Sequence, residues 1–304
     1  MYYFILNPSS QSSGSRSIWN RLATILKEKN ISYKVYATTY PGHGTDLARK
    51  ISSADPNATI VAIGGDGTVH DILCGLTNIS TVTFGLIPSG SGNDFARGMH
   101  ITSDTDRAIA QILDPQQHMK IDIGTLTDRK DQRFGVSCGI GFDAAVCHEA
   151  LSSPIKDTLN KMHLGQLTYG VIALKQILLY DPGPMKIELD GGRTMEFKKA
   201  FFAAVMNQKY EGGGVKMCPE ARPGDGILDI FVVSDIPNAK IGAVLPLGFA
   251  GKHKHLKGVH FLRAQSVKIT CDRKRAVHLD GESGGMHRTL SATVLSEQLR
   301  VIVG

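Results

Sequence analysis

Apolar residues fall into two textures along the chain. Over roughly the first 125 residues, short β-branched or aromatic runs alternate with stretches whose apolar positions recur every three or four residues. Tyr2–Asn7 reads as a buried strand running into a Pro/Ser/Gly loop, after which Ile18, Leu22, Ile25 and Leu26 repeat at helical spacing. Tyr33–Tyr36 predicts a second strand, and Leu47 and Ile51 predict a helix after the PGHG turn. Thr59–Ile63 is a β-branched strand that stops at two glycines; Val69, Ile72, Leu73 and Leu76 then resume helical spacing. Phe84–Ile87 is another short strand ending in a Pro/Gly loop. Strands separated by helices predict right-handed βαβ units and a parallel sheet.

From about Ile121 strand-like segments dominate: Ile121–Leu126, Phe134–Cys138, Met185–Leu189, Ala200–Met206, Leu228–Val233, Val267–Cys271 and Arg275–Leu279. Turn signals separate them, including Asp190–Gly192 and Pro223–Gly226. This half predicts an antiparallel sandwich or barrel. One helical stretch interrupts it over 154–180. There Leu167, Val171, Leu174 and Leu178 form an apolar stripe suited to core packing, or to a lid over an acyl chain. Leu299–Val303 is a last apolar strand able to return to either half. The expected division is an α/β unit over 1–122, a β-rich unit over 123–298 and a C-terminal strand over 299–304.

Composition narrows the function classes. With 304 residues, 42% hydrophobic and 20% charged, the chain is not a disordered one. Lys plus Arg number 34 against 28 Asp plus Glu, a formal charge of +6. That mild excess suits an anionic nucleotide or headgroup, and without a Lys/Arg block it predicts no nucleic-acid partner. Cys74, Cys138, Cys147, Cys218 and Cys271 include no CxxC pair, so reduced thiols and a cytoplasmic location are expected. The first residues lack a signal-peptide pattern and no run reaches the ~18 apolar residues of a spanning helix, so contact with a membrane would be peripheral. Lys252–Lys257 is basic and predicts a solvated face, with anionic lipid contact second; His253 and His255 are too few ligands for zinc.

Candidate chemistry gathers in loops at strand ends, where open α/β sheets bind ligands. Gly64-Gly65-Asp66-Gly67-Thr68 follows a strand directly. Its glycines would let backbone amides approach a phosphate at a helix N-terminus, with Thr68 as N-cap or first helical residue. A carboxylate in such a cradle needs a mediating cation or a proton to accept, so Asp66 points to Mg²⁺-nucleotide or general-base chemistry; a tight turn with an Asp cap is the structural alternative. GxxxxGK[ST] is absent, so this is not a P-loop. A second loop, Pro88–Arg97, lies after the next strand, and the two would form one anion-binding crevice. In it Asn93 and Asp94 would hold the nucleoside or orient the first loop, and Arg97 is either a phosphate ligand or an exposed helix residue. The serines of Asn7–Gly14 also suit phosphate, or form a linker. Gly139–Ala144 fits GxGxxA without a βαβ context and predicts no dinucleotide site. Glu282, in Asp280-Gly281-Glu282-Ser283-Gly284-Gly285, is expected at a loop tip. Pro223–Asp229 reads as a turn entering a strand, or as a carboxylate-plus-carbonyl site for a hard cation.

Taken together, NPSS at Asn7–Ser10, GGDGT at Gly64–Thr68, PSGSGNDFAR at Pro88–Arg97, PEARPGDGILD at Pro219–Asp229 and LDGE at Leu279–Glu282 resemble the diacylglycerol kinase catalytic domain family, with its related lipid and sphingosine kinases. The motifs cover nearly the whole chain in order. The resemblance implies an NAD-kinase-like three-layer α/β domain, a C-terminal β-sandwich domain and an active site in the cleft between them. It implies ATP contacts at Asn7, Pro8, Ser9, Ser10, Thr38, Gly64, Gly65, Asp66, Gly67, Thr68, Val69, His70, Ser91 and Asn93. It places the proton acceptor on Glu282, with Asp66 the other candidate catalytic carboxylate, and a supporting Mg²⁺ on the Asp225 carboxylate and the Arg222 and Ile227 carbonyls. Where the family often carries Asn after GGDGT, this chain has His70. The implied activity is transfer of the γ-phosphoryl of Mg-ATP to a lipid hydroxyl, diacylglycerol or a related lipid. Membrane contact would be peripheral, at an anionic inner surface, and a homodimer is compatible. Two alternatives remain at this point. GNDFAR and PGDGILD speak against an NAD-kinase-like or other small-molecule kinase. The presence of both Asp66 and Glu282 speaks against a nucleotide-binding regulatory module without catalysis.

Overall fold

Four of the apolar runs form parallel strands, β1 (Tyr2–Leu6), β2 (Tyr33–Ala37), β3 (Thr59–Gly64) and β4 (Thr83–Pro88), in the order β2-β1-β3-β4. The computed structural model describes residues 1–8, 14–152, 180–237, 241 and 247–304; the stretch expected as a helix over 154–180 therefore lies, but for Tyr180, outside the described residues. Helices α1 (Gly14–Glu28), α2 (His43–Ala54), α3 (Asp66–Gly75), α4 (Asp94–Gly98) and α5 (Thr105–Leu113) complete this half. Alternation along the strands explains the layers. Tyr3, Ile5, Ile60 and Ala62 pack on one face with Ala48, Ile51 and Ile72. Phe4, Leu6, Val61 and Ile63 pack on the other with Leu22, Leu26, Ile109 and Ile112. A sheet covered on both faces needs apolar residues at consecutive positions, which is why β1, β3 and β4 read as unbroken runs, while β2 at the edge is exposed at Lys34 and Val35.

The run expected as one strand over Ile121–Leu126 is two. Strand β5 (His118–Ile121) closes the first sheet, and β6 (Gly124–Leu126) belongs to the second. Buried Asp122 marks the crossing, where its carboxylate accepts from the Gly226 amide at 2.7 Å and from Gln298 Nε2 at 2.9 Å.

The second sheet adds β7 (Arg133–Phe134), β8 (Ser137–Gly141), helix α6 (Phe142–Ser152), β9 (Gly183–Leu189), β10 (Arg193–Met206), β11 (Leu228–Ser234), β12 (Val259–Ala264), β13 (Ser266–Leu279) and β14 (Glu282–Val294). Its order is β12-β11-β10-β8-β13-β14-β6-β7, and β9 pairs with both β10 and β13. The long strands β10 and β13 carry irregularities at Phe197/Ala200 and Thr270/Arg275. On one side of these they pair with β9, and on the other with β8. Bulges of this kind bend strands, and the bent sheet encloses one core containing Ile140, Ile187, Val205, Ile230, Ile269 and Leu290. Segments read separately as Val267–Cys271 and Arg275–Leu279 are thus one bulged strand, β13.

Glu282 does not sit at a loop tip. Asp280 and Gly281, with φ of 49° and 85°, form the two-residue turn, and Glu282 is the first residue of β14. Both turn positions need positive φ, which Asp-Gly supplies. The final strand, β15 (Leu299–Ile302), returns to the first sheet, parallel to β4 and antiparallel to β5. Among the described residues no helix is long and apolar enough to cross a membrane.

Because Leu299 is fully buried between β4 and β5, Leu299→Ala is expected to destabilise the protein by about 2–5 kcal/mol. Equilibrium urea unfolding measures this, and a loss well below that range would show that β15 is only loosely held.

Candidate active site

The carboxyl ends of the parallel strands lie side by side, and backbone bonds carry the ladder into the loops beyond them. The Asn7 amide donates to Ile63 O at 3.2 Å, the Thr38 amide to Leu6 O at 2.8 Å and the Ser89 amide to Gly64 O at 2.9 Å. Asn7, Thr38, Gly64 and the Pro88–Arg97 loop therefore share one edge. Pro8 lies in an exposed turn after Asn7, and Ser9 and Ser10 are outside the described residues. The two glycine loops touch backbone to backbone: a Cβ on Gly65 would stand 2.9 Å from Gly90 Cα. Asn93, in a left-handed conformation, folds the second loop on itself; its Nδ2 donates to Gly90 O at 2.8 Å and its Oδ1 accepts from the Gly90 amide at 3.1 Å. Ser91 is exposed at the tip of that loop.

The N-cap of α3 is Gly65 rather than Thr68, and Thr68, with Val69 and His70, is buried in the helix. Asp66, the first residue of α3, spans the two loops. Its carboxylate accepts from the Asp94 amide at 3.1 Å and the Phe95 amide at 3.0 Å, so it caps α4 from outside. Burial raises the Asp66 pKa and these two amides lower it, leaving it above the usual carboxylate value. Asp94 is pushed up to about 6, first by burial and then by the charge of Asp66. Asp94 accepts from the Gly213 amide at 2.7 Å and pairs with Arg97. Arg97 also donates to Gly92 O at 2.9 Å, so its guanidinium is engaged within its own loop.

The second sheet delivers Glu282 to this edge. A Cβ on Gly67 would stand 2.8 Å from Glu282 Oε1, so the exposed carboxylate lies against the residue that follows Asp66. The turn before Glu282 is fixed by Asp280. That carboxylate accepts from the Gly135, Val136 and Ser137 amides at 3.0, 2.8 and 3.0 Å, and its Oδ2 stands 3.3 Å from His70 Nδ1 on α3. The departure from Asn to His70 thus supplies a link between the two sheets.

Sequence reasoning passed over a buried group behind this turn. His278 Nε2 lies 3.2 Å from Asp143 Oδ2 and 3.2 Å from Glu211 Oε1. Burial pushes the Glu211 carboxyl up to about 7 despite the opposing pull of His278. These residues stand 68 and 67 positions apart in sequence, and only the meeting of α6, β13 and the loop after β10 assembles them. The Gly139–Ala144 motif serves this packing: a Cβ on Gly139 would stand 2.5 Å from His278 Nε2.

The Pro223–Gly226 turn is apart from this group. Asp225 accepts from the Ile227 amide at 3.2 Å and pairs with Arg263, which also pairs with Asp229 at 3.3 Å. The Arg222 carbonyl accepts from the Gly224 amide at 2.9 Å. Buried Asp229 Oδ2 has no hydrogen-bond donor, and burial pushes the Asp229 carboxyl up to about 6. Two carboxylates and free carbonyl lone pairs suit a hard cation, but Arg263 already supplies a positive charge there. In the Lys252–Lys257 segment, His253 is buried, its Nε2 3.0 Å from Met217 O, while His255 is exposed. The two therefore share neither a face nor a metal site.

Comparison with known proteins agrees with this architecture. The family model of the diacylglycerol kinase catalytic domain matches residues 1–126, and that of the YegS C-terminal NAD kinase beta sandwich-like domain matches residues 137–303. A Bacillus subtilis (strain 168) protein named "Putative lipid kinase YtlR" is 29% identical over 291 residues, covering 93% of this chain and 94% of its own. A diacylglycerol kinase from the same organism is 28% identical over 286 residues, covering 93% and 89%. The crystal structure of a diacylglycerol kinase from Bacillus anthracis str. Sterne shares the fold, with a TM-score of 0.73 at 21% identity and coverage of 100% and 96%. An NAD kinase from Archaeoglobus fulgidus in complex with ATP is similar in fold, with a TM-score of 0.55 at 12% identity and coverage of 99% and 93%. The second family model alone spans more than half of the sequence, and with the first it shows that the chain belongs to the lipid kinase family that joins a diacylglycerol kinase catalytic domain to a YegS-type C-terminal domain.

Proposed function

We propose that the protein transfers the γ-phosphoryl group of Mg-ATP to the hydroxyl of a lipid, diacylglycerol or a close relative. The observation that carries this reading is the contact of Glu282 Oε1 with Gly67, which sets an exposed carboxylate against the glycine loop suited to phosphates. The names of the curated relatives support a lipid acceptor, and the ATP held by the A. fulgidus NAD kinase supports the nucleotide. On this reading residues 1–122 hold the nucleotide and residues 123–298 the acceptor. The loops at Asn7, Thr38, Gly64–His70 and Ser91–Asn93 take the nucleotide, with backbone amides and the α3 N-terminus facing its phosphates. Mg²⁺ bound with the nucleotide would supply neutralisation of the phosphate charge.

Glu282 then accepts the proton of the attacking hydroxyl. The lipid oxygen forms a bond to the γ-phosphorus, the bond to the β,γ-bridging oxygen breaks, and ADP leaves. Asp66 suits the base role less well, because its two oxygens are already committed to the amides that begin α4. Its role is to hold the two glycine loops in register. Incubation of the purified protein with labelled ATP, Mg²⁺ and diacylglycerol in mixed micelles tests the reading. Absence of labelled phospholipid with diacylglycerol and with a total lipid extract would overturn it.

Asp66→Asn is expected to abolish transfer with the fold retained. Asparagine offers one acceptor oxygen where two amides need one each, but it also removes a charge that burial disfavours. Activity within about tenfold of wild type, roughly 1.4 kcal/mol of barrier, would remove Asp66 from the mechanism. Glu282→Gln should lower turnover by about 10²–10⁴-fold, the usual contribution of a general base. Its ATP affinity should be nearly unchanged. Lost ATP binding with normal turnover at saturating ATP would reassign Glu282 to the nucleotide.

The proposal includes a supporting Mg²⁺ at Arg222, Asp225 and Ile227, in competition with Arg263. A cation that binds the native state raises apparent stability. Excess Mg²⁺ should therefore raise the Tm of wild type, raise that of Arg263→Ala further, and leave Asp225→Ala unmoved. Equal shifts in all three proteins would make Asp225 a turn residue alone.

A further inference from the structure

His278 is fully buried at the end of β13, two residues before Asp280 and four before Glu282. Its two ring nitrogens face different structures. Nδ1 accepts from the Gly281 amide at 3.3 Å, inside the turn that ends at Glu282. That acceptor role leaves the ring proton on Nε2, between Asp143 Oδ2 and Glu211 Oε1, each 3.2 Å away. Asp143 sits in the first turn of α6, and its other oxygen accepts from the Ala144 amide at 2.7 Å. Glu211 precedes three glycines, Gly212, Gly213 and Gly214, all with positive φ. The Gly213 amide donates to Asp94 Oδ2 at 2.7 Å, and the Asp94 amide donates to Asp66.

A divalent metal could meet two carboxylates and an imidazole at this spacing, and Glu211 Oε2 is buried without a partner. The outer face of the ring argues against it. A metal on Nε2 would leave the proton on Nδ1, facing the Gly281 N–H, whereas metal-bound histidines donate that proton to an acceptor. The group is better matched to holding a proton on Nε2 and the ring in one orientation.

We infer that His278, gripped by Asp143 and Glu211, is a positioning residue for transfer: through Gly281 it sets where Glu282 stands over Gly67. The same grip anchors the root of the Gly212–Gly214 loop whose amide holds Asp94. Among the described residues the polar contacts of His278 fall on Asp143, Glu211 and Gly281 rather than on either glycine loop, so it acts through Glu282. The inference rests on the reading of Glu282 as proton acceptor. A carboxylate misplaced by about 1 Å costs on the order of 10²-fold in rate when the reacting groups depend on its placement.

A double-mutant cycle separates positioning from mere support of the fold. His278→Ala should lower kcat by about 10- to 100-fold and leave the KM for ATP nearly unchanged. In a Glu282→Gln background the same substitution should cost almost nothing further, because the group it positions is no longer a base. If the two losses multiply, or if His278→Ala turns over normally, His278 does not act through Glu282 and the inference is overturned. If Glu282→Gln alone turns over normally, the base reading fails and takes this inference with it. Should His278→Ala fail to fold, Asp143→Asn, which keeps the side-chain volume, is run through the same cycle. It should show the same non-additivity with Glu282→Gln and a smaller effect on kcat.

Discussion

The carboxylate of Asp280 is the point through which the two sheets meet. Its side chain is nearly inaccessible, yet it collects three backbone amides from the Gly135–Ser137 segment and stands against His70 on the helix that follows the GGDGT loop. Hydrogen bonds to a charged acceptor are the strong ones, and a buried carboxylate left without them would cost far more than the bonds contribute. The arrangement is therefore close to all-or-none. With its partners in place, the turn at Asp280–Gly281 is held against the Gly135–Ser137 segment and α3, and the next residue, Glu282, begins β14 beside Gly67. His70 reciprocates: burial opposes its charge, and the hydrogen bond it donates to Asp280, with Cys74 behind, lifts its pKa well above the usual imidazole value.

Around that point the protein concentrates carboxylates. Asp66, Asp94, Asp143, Glu211 and Asp280 face Arg97, His70 and His278. Asp94 and Glu211 have pKa values of about 6 and about 7, above those of free side chains. A carboxylate whose folded pKa is raised favours the native state when protonated. That contribution is present at low pH and is lost as pH rises through the folded value. At neutral pH these two acids therefore weigh against stability. Their retention makes sense if the geometry they impose matters more than their cost, which is the usual trade at a site arranged for chemistry. Backbone amides offset part of that cost: α4 begins on Asp66, and Gly213 donates to Asp94.

The α/β half was legible because its strands are covered on both faces. Thr59–Ile63 and Phe84–Ile87 read as strands of a buried sheet, and each runs into a glycine-containing loop. The β-rich half was legible where burial gave apolar runs, as at Leu228–Ser234, and illegible where one strand face is open. Strand β14 has only exposed and half-buried residues over Glu282–Arg288, so Asp280–Gly285 read as a loop. The Asp280–Gly281 turn that would have exposed it as a hairpin uses the same Asp-Gly chemistry as the turn recognised at Asp190–Gly191. Motif spacing found Asp66, Asp94 and Glu282. It could not find Asp143, Glu211 and His278, because no local pattern records a contact made only when three distant segments pack. The destination of β15 was equally hidden, since an apolar strand fits either sheet until β4 and β5 leave a gap between them.

The glycines of the GGDGT loop illustrate how one residue type answers two demands. Read from sequence, they admit backbone amides to a phosphate. None of Gly64, Gly65 and Gly67 has a positive φ, so conformational freedom is not what the fold requires of them. Each is instead a point of close approach. A Cβ would meet the Thr68 side chain at Gly64, the Gly90 backbone at Gly65 and the Glu282 carboxylate at Gly67. The space a side chain would fill is occupied by the protein itself, by the loop's own helix, by the neighbouring loop and by the second sheet in turn. A loop pinned on three sides has little entropy left to lose when a ligand arrives, so its amides are set in place by folding rather than by binding. The contact at Gly67 also means that Glu282 and the loop cannot be adjusted independently. A Cβ at position 67 would stand 2.8 Å from Glu282 Oε1, so a side chain there would make the exposed carboxylate move. The position of the Glu282 carboxylate, the proton acceptor of the proposed reaction, is thereby tied to the same glycine that keeps the loop open.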